Sequence, residues 1–331
     1  VSPSRKRRAF VLGCALTALG VIALPATIAA RRFRVFERRV KHQEEVDLVC
    51  FSADGRFLLS SSRAESRFLI RDLENPLDRR FGAPSSRTWD GRATGLSPDA
   101  RHVAVVPGEW MGLGEPDDET DRSQEGSQFA FLTLAPDNRS FAFLDSPGGA
   151  WVLHVRTFQG GQDVASARLP LEGMGEVTFS PDSRLVAVQG DPSVLLVDAR
   201  SGELVRVLAK REYAGHGVFA PDSKTLFLGG QHDLTAWSVT TGARLWTYDQ
   251  AASCPLTVSR EGHYLVDLIE RTGRIALLDA ATGRPWDAHE PFRADDIVSA
   301  AFSPAGEVIA IGHSTGDVTI EPTETFLARF R

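Results

Sequence analysis

The chain has 331 residues, 42% of them hydrophobic and 24% charged, which excludes a globally disordered polypeptide. Three cysteines are too few for a disulfide-stapled scaffold. The formal charge of −6 hides an asymmetry: residues 1–41 hold ten basic groups against Glu37, whereas 42–331 hold 27 basic and 42 acidic groups, an acidic body that excludes nucleic acid as a partner.

Residues 1–8 form a basic tail ending in Arg5-Lys6-Arg7-Arg8. Ala9 to Ala30 then reads as 22 uncharged residues. A helix of that length spans about 33 Å, enough to cross a bilayer as a single transmembrane helix. The competing reading is a cleaved export signal. Lys6-Arg7-Arg8-Ala9-Phe10-Val11-Leu12 fits a twin-arginine start, and Thr27-Ile28-Ala29 offers a small-x-small cleavage site. The length of the apolar run favours a retained anchor. Basic residues flank both ends, so the positive-inside rule pulls both ways. The signal-like start favours a cytoplasmic amino terminus and an extracytoplasmic body.

Residues 31–41 are a basic juxtamembrane segment. Beyond it, one turn returns seven times after a short apolar stretch: Phe51-Ser-Ala-Asp-Gly55, Leu96-Ser-Pro-Asp-Ala100, Leu134-Ala-Pro-Asp-Asn138, Phe179-Ser-Pro-Asp-Ser183, Phe219-Ala-Pro-Asp-Ser223, Val258-Ser-Arg-Glu-Gly262 and Phe302-Ser-Pro-Ala-Gly306. The intervals are 45, 38, 45, 40, 39 and 44 residues. A period of about 40–45 residues with several strands per unit marks a propeller blade. Proline presets φ in such a turn, Asp bonds its own backbone, and Gly or Asn takes the left-handed position. The fourth unit displays the whole pattern. The strand ending at Ser180 is followed by an alternating strand over 184–189, a nearly all-apolar strand over 194–198, a turn at Gly202 and an outer strand over 204–208. Seven units of about 42 residues need about 290. Residues 42–331 supply that length, which leaves no space for a separate catalytic domain. The expected fold is all-β: a seven-bladed β-propeller with about four antiparallel strands per blade, preceded by one transmembrane helix.

Lys41-His42-Gln-Glu-Glu-Val46-Asp-Leu-Val49-Cys-Phe51-Ser-Ala-Asp-Gly55 resembles the WD-repeat family, with Lys41 where that family has glycine. The resemblance extends over about 290 residues in degraded form. Trp237-Ser238 and Ile70-Arg71-Asp72 are the nearest approaches to the Trp-Asp pair, and the family's hydrogen-bonded tetrad is not expected in any blade. The resemblance implies that an amino-terminal strand, here Val35–Val40, completes the last blade. Phe326–Arg331 is the rival closing strand. Cys50 and Cys254 fall on different blades and are expected to be free thiols.

The second unit is irregular: Pro107 to Gly126 has no alternating apolar strand and is rich in acid. Long loops on a rigid scaffold carry binding, so Trp110, Asp117, Asp118, Glu119 and Asp121 form the candidate partner-binding loop. The acids lack the spacing of a calcium loop, and a solvated loop is the plainer reading.

Eight histidines are scattered without metal-ligand spacing, and no nucleophile elbow or phosphate loop occurs, so neither catalytic residues, metal nor cofactor is expected. Leu278 to Trp286 and Trp237 to Trp246 resemble the tryptophan docking repeat of pyrroloquinoline-quinone dehydrogenases, which would imply a quinone-cofactor enzyme. The expected function is a membrane-tethered, non-catalytic scaffold for a protein partner, basic if the acidity serves recognition. The alternatives are an exported sugar- or peptide-binding sensor and the quinone enzyme.

Overall fold

The computed structural model describes residues 42–331 apart from 53, 63, 66, 75–78, 83–90, 97–102, 108–111, 115–128, 138, 158–162, 174–175, 211–215, 231–232, 250–252, 270–273, 287–291, 294–295 and 331. The predicted helix 9–30 and the predicted closing strand Val35–Val40 lie outside the described residues. Among the described residues, no helix is long and apolar enough to cross a membrane.

The described residues are almost entirely antiparallel β-sheet. Sheet 1 holds β1 (Leu48–Phe51), β2 (Phe57–Ser62), β3 (Arg67–Asp72) and β4 (Arg79–Gly82). Sheet 2 holds β5 (Gly91–Leu96), β6 (Val103–Pro107) and β7 (Gly112–Gly114). Sheet 3 holds β8 (Phe129–Leu134), β9 (Ser140–Asp145), β10 (Val152–Thr157) and β11 (Asp163–Arg168). Sheet 4 holds β12 (Glu176–Phe179), β13 (Leu185–Gly190), β14 (Ser193–Asp198) and β15 (Leu204–Lys210). Sheet 5 holds β16 (Gly217–Phe219), β17 (Thr225–Gly229), β18 (Leu234–Ser238) and β19 (Arg244–Tyr248). Sheet 6 holds β20 (Ser253–Val258), β21 (Tyr264–Ile269), β22 (Arg274–Asp279) and β23 (Phe292–Arg293). Sheet 7 holds β24 (Ile297–Phe302), β25 (Val308–His313) and β26 (Val318–Pro322). Each sheet is a simple up-and-down meander in chain order. First strands lie against first strands of neighbouring sheets, and β24 of the last sheet lies against β1 of the first. This is an all-β fold of propeller-like kind.

The side-chain period of two explains why the sheets stack. In β14, Leu195 and Val197 pack with Leu153 and Val155 of sheet 3, whereas Val194 and Leu196 pack with Leu226 and Leu228 of sheet 5. All four are fully buried, each worth about 1.5–3 kcal/mol of hydrophobic stabilisation. The second strand departs from the half-buried alternation expected of it. Val186, Ala187, Val188 and Gln189 of β13 are all 0% exposed, because sheets cover both faces.

The rival closing strand is corrected. Phe326 to Phe330 are helical: α1 (Thr323–Leu327) runs into a 3-10 turn at Ala328–Phe330. Pro322 ends β26, and buried residues at 326, 327 and 330 match a helical period rather than alternation. Phe326 packs with Ile275 and Leu277 of β22 and with Ile309 and Ile311 of β25. Sheet 7 therefore ends at three described strands.

Candidate functional site

All seven recurrent turns follow the last residue of a first strand, from Phe51 in β1 to Phe302 in β24. The described ones build one face, the turn face. In the fourth turn Ser180 N–H donates to Leu185 O at 2.9 Å, Ser183 N–H donates back to Ser180 O at 2.8 Å, and Asp182 Oδ1 accepts from Arg184 N at 3.1 Å. The serine adds what the sequence pattern did not reveal. Buried Ser180 accepts from Leu185 N at 3.0 Å and donates to Asp182 Oδ1 at 2.6 Å. The last turn position has positive φ: 72° at Gly55, 59° at Ser183 and 60° at Ser223. There the serines reach the preceding sheet. Ser183 Oγ accepts from Asp137 N at 3.0 Å, and Ser223 Oγ accepts from Asp182 N at 3.1 Å. A Cβ on Gly55 would sit 3.5 Å from Pro304 Cδ, so the first turn rests on the last.

A second ring of contacts joins the outer hairpins on this face. The glycines at 202, 242 and 283 leave space that Ser166 O, the Arg206 side chain and the Trp246 ring approach within 2.9, 2.6 and 2.5 Å of a notional Cβ. Trp246 Nε1–H donates to Ala280 O at 3.1 Å, and Arg206 donates to Thr240 O at 2.8 Å. The tryptophan contact is thus one of several interchangeable ways of seating an outer strand on the next hairpin. A cleft of ≈ 440 Å³ opens here between sheets 5 and 6, with Asp222, Arg260 and Glu261 at its mouth.

The opposite face carries the starts of the first strands and the hairpins between second and third strands; it is the start face. Here histidines meet acids. His313 lies between sheet 7's own groups, with Nδ1 2.9 Å from Asp296 Oδ2 and Nε2 2.8 Å from Thr319 Oγ1. His216 Nδ1 lies 2.8 Å from Glu176 Oε2, linking sheet 5 to sheet 4. Fully buried His42 lies 3.0 Å from Ser60 Oγ through Nε2 and 3.8 Å from Glu65 Oε2 through Nδ1. The contact with Ser60 is a hydrogen bond and that with Glu65 an ion-pair distance, and no tryptophan takes part in either, so the two do not make up the family's tetrad. The same segment joins first and last sheets: His42 N donates to Gly316 O at 2.8 Å, Val46 N to His313 O at 3.0 Å, and Ser299 Oγ to Val46 O at 2.7 Å.

Two arginine-bound acids titrate in opposite directions. Burial raises Asp163, but the hydrogen bond and charge of Arg156 outweigh it and hold the carboxyl below its ordinary range. Burial raises Glu321 above its ordinary range despite Arg329 at 2.6 Å. Burial also pushes the Cys50 thiol up to about 12, and Cys50 is free.

The outer rim is the third surface. Val164 of β11, Leu204, Val205 and Val207 of β15, and Leu245 of β19 are between 43% and 52% exposed. They lie on the outer strands of three successive sheets. The candidate loop residues Trp110, Asp117, Asp118, Glu119 and Asp121 all lie outside the described residues. Among the described residues no cluster of three metal-ligating groups occurs.

No family model matches the chain, and no curated protein matches it. Solved structures that match include a chain of Kuenenia stuttgartiensis hydrazine synthase, 17% identical with a TM-score of 0.66, over 86% of this chain and 98% of that one. At that identity the likeness concerns the fold alone.

Proposed function

We propose that the chain is a divergent seven-bladed propeller of the WD-repeat kind, tethered to a membrane through residues 9–30 and serving as a non-catalytic platform for a protein partner. The exposed apolar strip on β11, β15 and β19 carries this reading. Outer strands with bare edges and exposed Leu and Val are a liability unless something covers them. Closure by Val35–Val40 belongs to the same reading. β26 has no described neighbour on its outer side, and His42 is bonded at the tip of the β25–β26 hairpin. An antiparallel fourth strand has to end at that tip. The Trp246 contact favours the quinone-enzyme alternative, but Arg206 fills the same role one sheet earlier.

The test is a native mass spectrum of the full chain extracted from its own membrane. A polypeptide-sized excess that disappears when Leu204 and Val205 are both replaced by serine supports the platform. A small-molecule excess with bound calcium overturns it in favour of the quinone enzyme.

A further inference from the structure

We propose that the rim formed by β11, β15 and β19 binds an acidic amphipathic helix of a separate partner; this rests on the platform reading and adds the partner's chemistry. The observation that carries it is a repeated bulge. The β10–β11 register passes from Val155↔Ala165 to Arg156↔Asp163, so Val164 has no residue opposite it. The β14–β15 register skips Val205 in the same way, and the β18–β19 register skips Leu245. Each is the second residue of its strand, and they recur at intervals of 41 and 40 residues. The effect on side chains is also shared. In each strand the first two residues are exposed and the third turns inward: Ala165 is buried, Arg206 lies against Gly242 and Trp246 against Gly283. Regular alternation would turn the first residue inward with the third. The bulge instead leaves neighbouring residues facing out, with Val164, Val205 and Leu245 at 44%, 47% and 52% exposure and Leu204 at 47% beside them.

Geometry and charge select the occupant. A bulge twists an edge out of line, so a partner strand meets no regular ladder where the apolar residues stand. Those residues also come from three sheets rather than from along one strand. Packed sheets lie about 10 Å apart, so the row runs for at least ~20 Å, which a helix of about 14 residues spans with apolar side chains at i, i+3, i+4 and i+7. The charge on the three strands is basic. They hold Arg168, Arg206, Lys210 and Arg244 against one acid, Asp163, whose carboxylate is taken by Arg156. Arg168 and Arg244 are exposed, whereas Arg206 is engaged with the Thr240 and Thr241 carbonyls. Glu203 and Asp249 lie just outside the strand ends. Residues 42–331 as a whole carry 42 acids against 27 bases. Acidic flanks on the helix are therefore attracted at this strip and repelled by the acidic body around it, which fixes where the helix lies.

The probe is a fluorescein-labelled, hydrocarbon-stapled helix, (Glu-Leu-Ala-Glu-Leu-Leu-Ala)3, titrated by anisotropy against the full chain in phosphatidylcholine nanodiscs, with empty nanodiscs as the blank. Its controls are the same helix with lysine for glutamate and an unstapled (Thr-Val)6 peptide. The glutamate helix should bind at least about tenfold more tightly than either control. Val164→Ser, Val205→Ser and Leu245→Ser together should weaken it at least about tenfold while leaving the melting temperature unchanged. Arg168→Gln with Arg244→Gln should keep the apolar contact but remove most of the preference for glutamate over lysine. Tighter binding of the lysine helix or of the (Thr-Val)6 peptide overturns the inference, as does equal affinity in the triple-serine variant and the parent. So does a glutamate preference that survives in the arginine variant. Rim-dependent dimers, or rim-dependent binding to phosphatidylglycerol vesicles, without binding of the helix would make a second copy or lipid the occupant and also overturn it. Absent helix binding with a rim-dependent partner still seen by mass spectrometry sinks this inference alone; absence of both sinks the platform reading as well.

Discussion

The turn face and the start face are made by the same strands, yet they differ in how completely their polar groups are met. On the turn face a residue bonds within its turn and then to the next turn. Asp182, for example, accepts from Ser180 and Arg184 and gives its own N–H to Ser223. On the start face the links are individual: a histidine–acid pair in one place, a backbone bond to Gly316 in another, and a buried carboxamide with no partner at Gln189. Repetition holds the molecule together at one end, while the other end is left to vary.

Substitution can break that contrast, and the largest effect is expected at Gly316. Its φ is 84°, and an added Cβ would fall 2.1 Å from His42 O. Gly316→Ala should cost about 3 kcal/mol or more, since both the left-handed backbone and the bond that joins first and last sheets are lost. A melting temperature within a degree of the parent would mean that the two sheets are not joined there. On the turn face the loss should be smaller because the contacts are redundant. Trp246→Ala should cost about 2–3 kcal/mol through lost packing and the bond to Ala280. Trp246→Arg should cost clearly less, given that Arg206 occupies the equivalent position one sheet earlier. Equal losses for the two variants would deny that the hairpin contacts are interchangeable.

The smallest effect sharpens the comparison through pH. Asp163 has a folded pKa below its unfolded value, so its contribution is present above the ordinary carboxylate range and is lost as pH falls through the folded value. Asp163→Asn should therefore remove that contribution at pH 7, a loss of at most about 1 kcal/mol for so exposed a pair, and flatten the further loss of stability below about pH 4 in denaturant titrations. Glu321 runs the other way. Its raised pKa means the folded state gains relative stability as the group protonates, so the two acids partly cancel in the whole-protein profile. An unchanged acid limb in Asp163→Asn would remove the Arg156 contact from the account.

Sequence alone made the repeat legible because its turn chemistry is local. Phe51, Leu96, Leu134, Phe179, Phe219, Val258 and Phe302 each end a first strand. The hidden parts depend on neighbours distant in the chain. Ser180 read as a turn residue, but its buried hydroxyl is fixed by a strand five residues on. The second strands looked half-buried, since alternation cannot report that a sheet from another unit lies on the outer side. Phe326–Phe330 looked like a strand until helix packing against β22 and β25 decided otherwise. Gln189 carries no sequence signal at all: a glutamine at a strand end is ordinary until Gly217 of the next sheet closes over it. The candidate loop around Trp110 drew attention through composition, whereas the surfaces that stand out in three dimensions, the rim and the start face, draw on residues from several units.

One consequence follows from the direction of the outer strands. β11, β15 and β19 all travel from the turn face towards the start face, and His42 enters the body at the start face. Among the described residues no strand is paired beyond β11, β15 or β19, so a strand added antiparallel to any of them would run from the start face to the turn face.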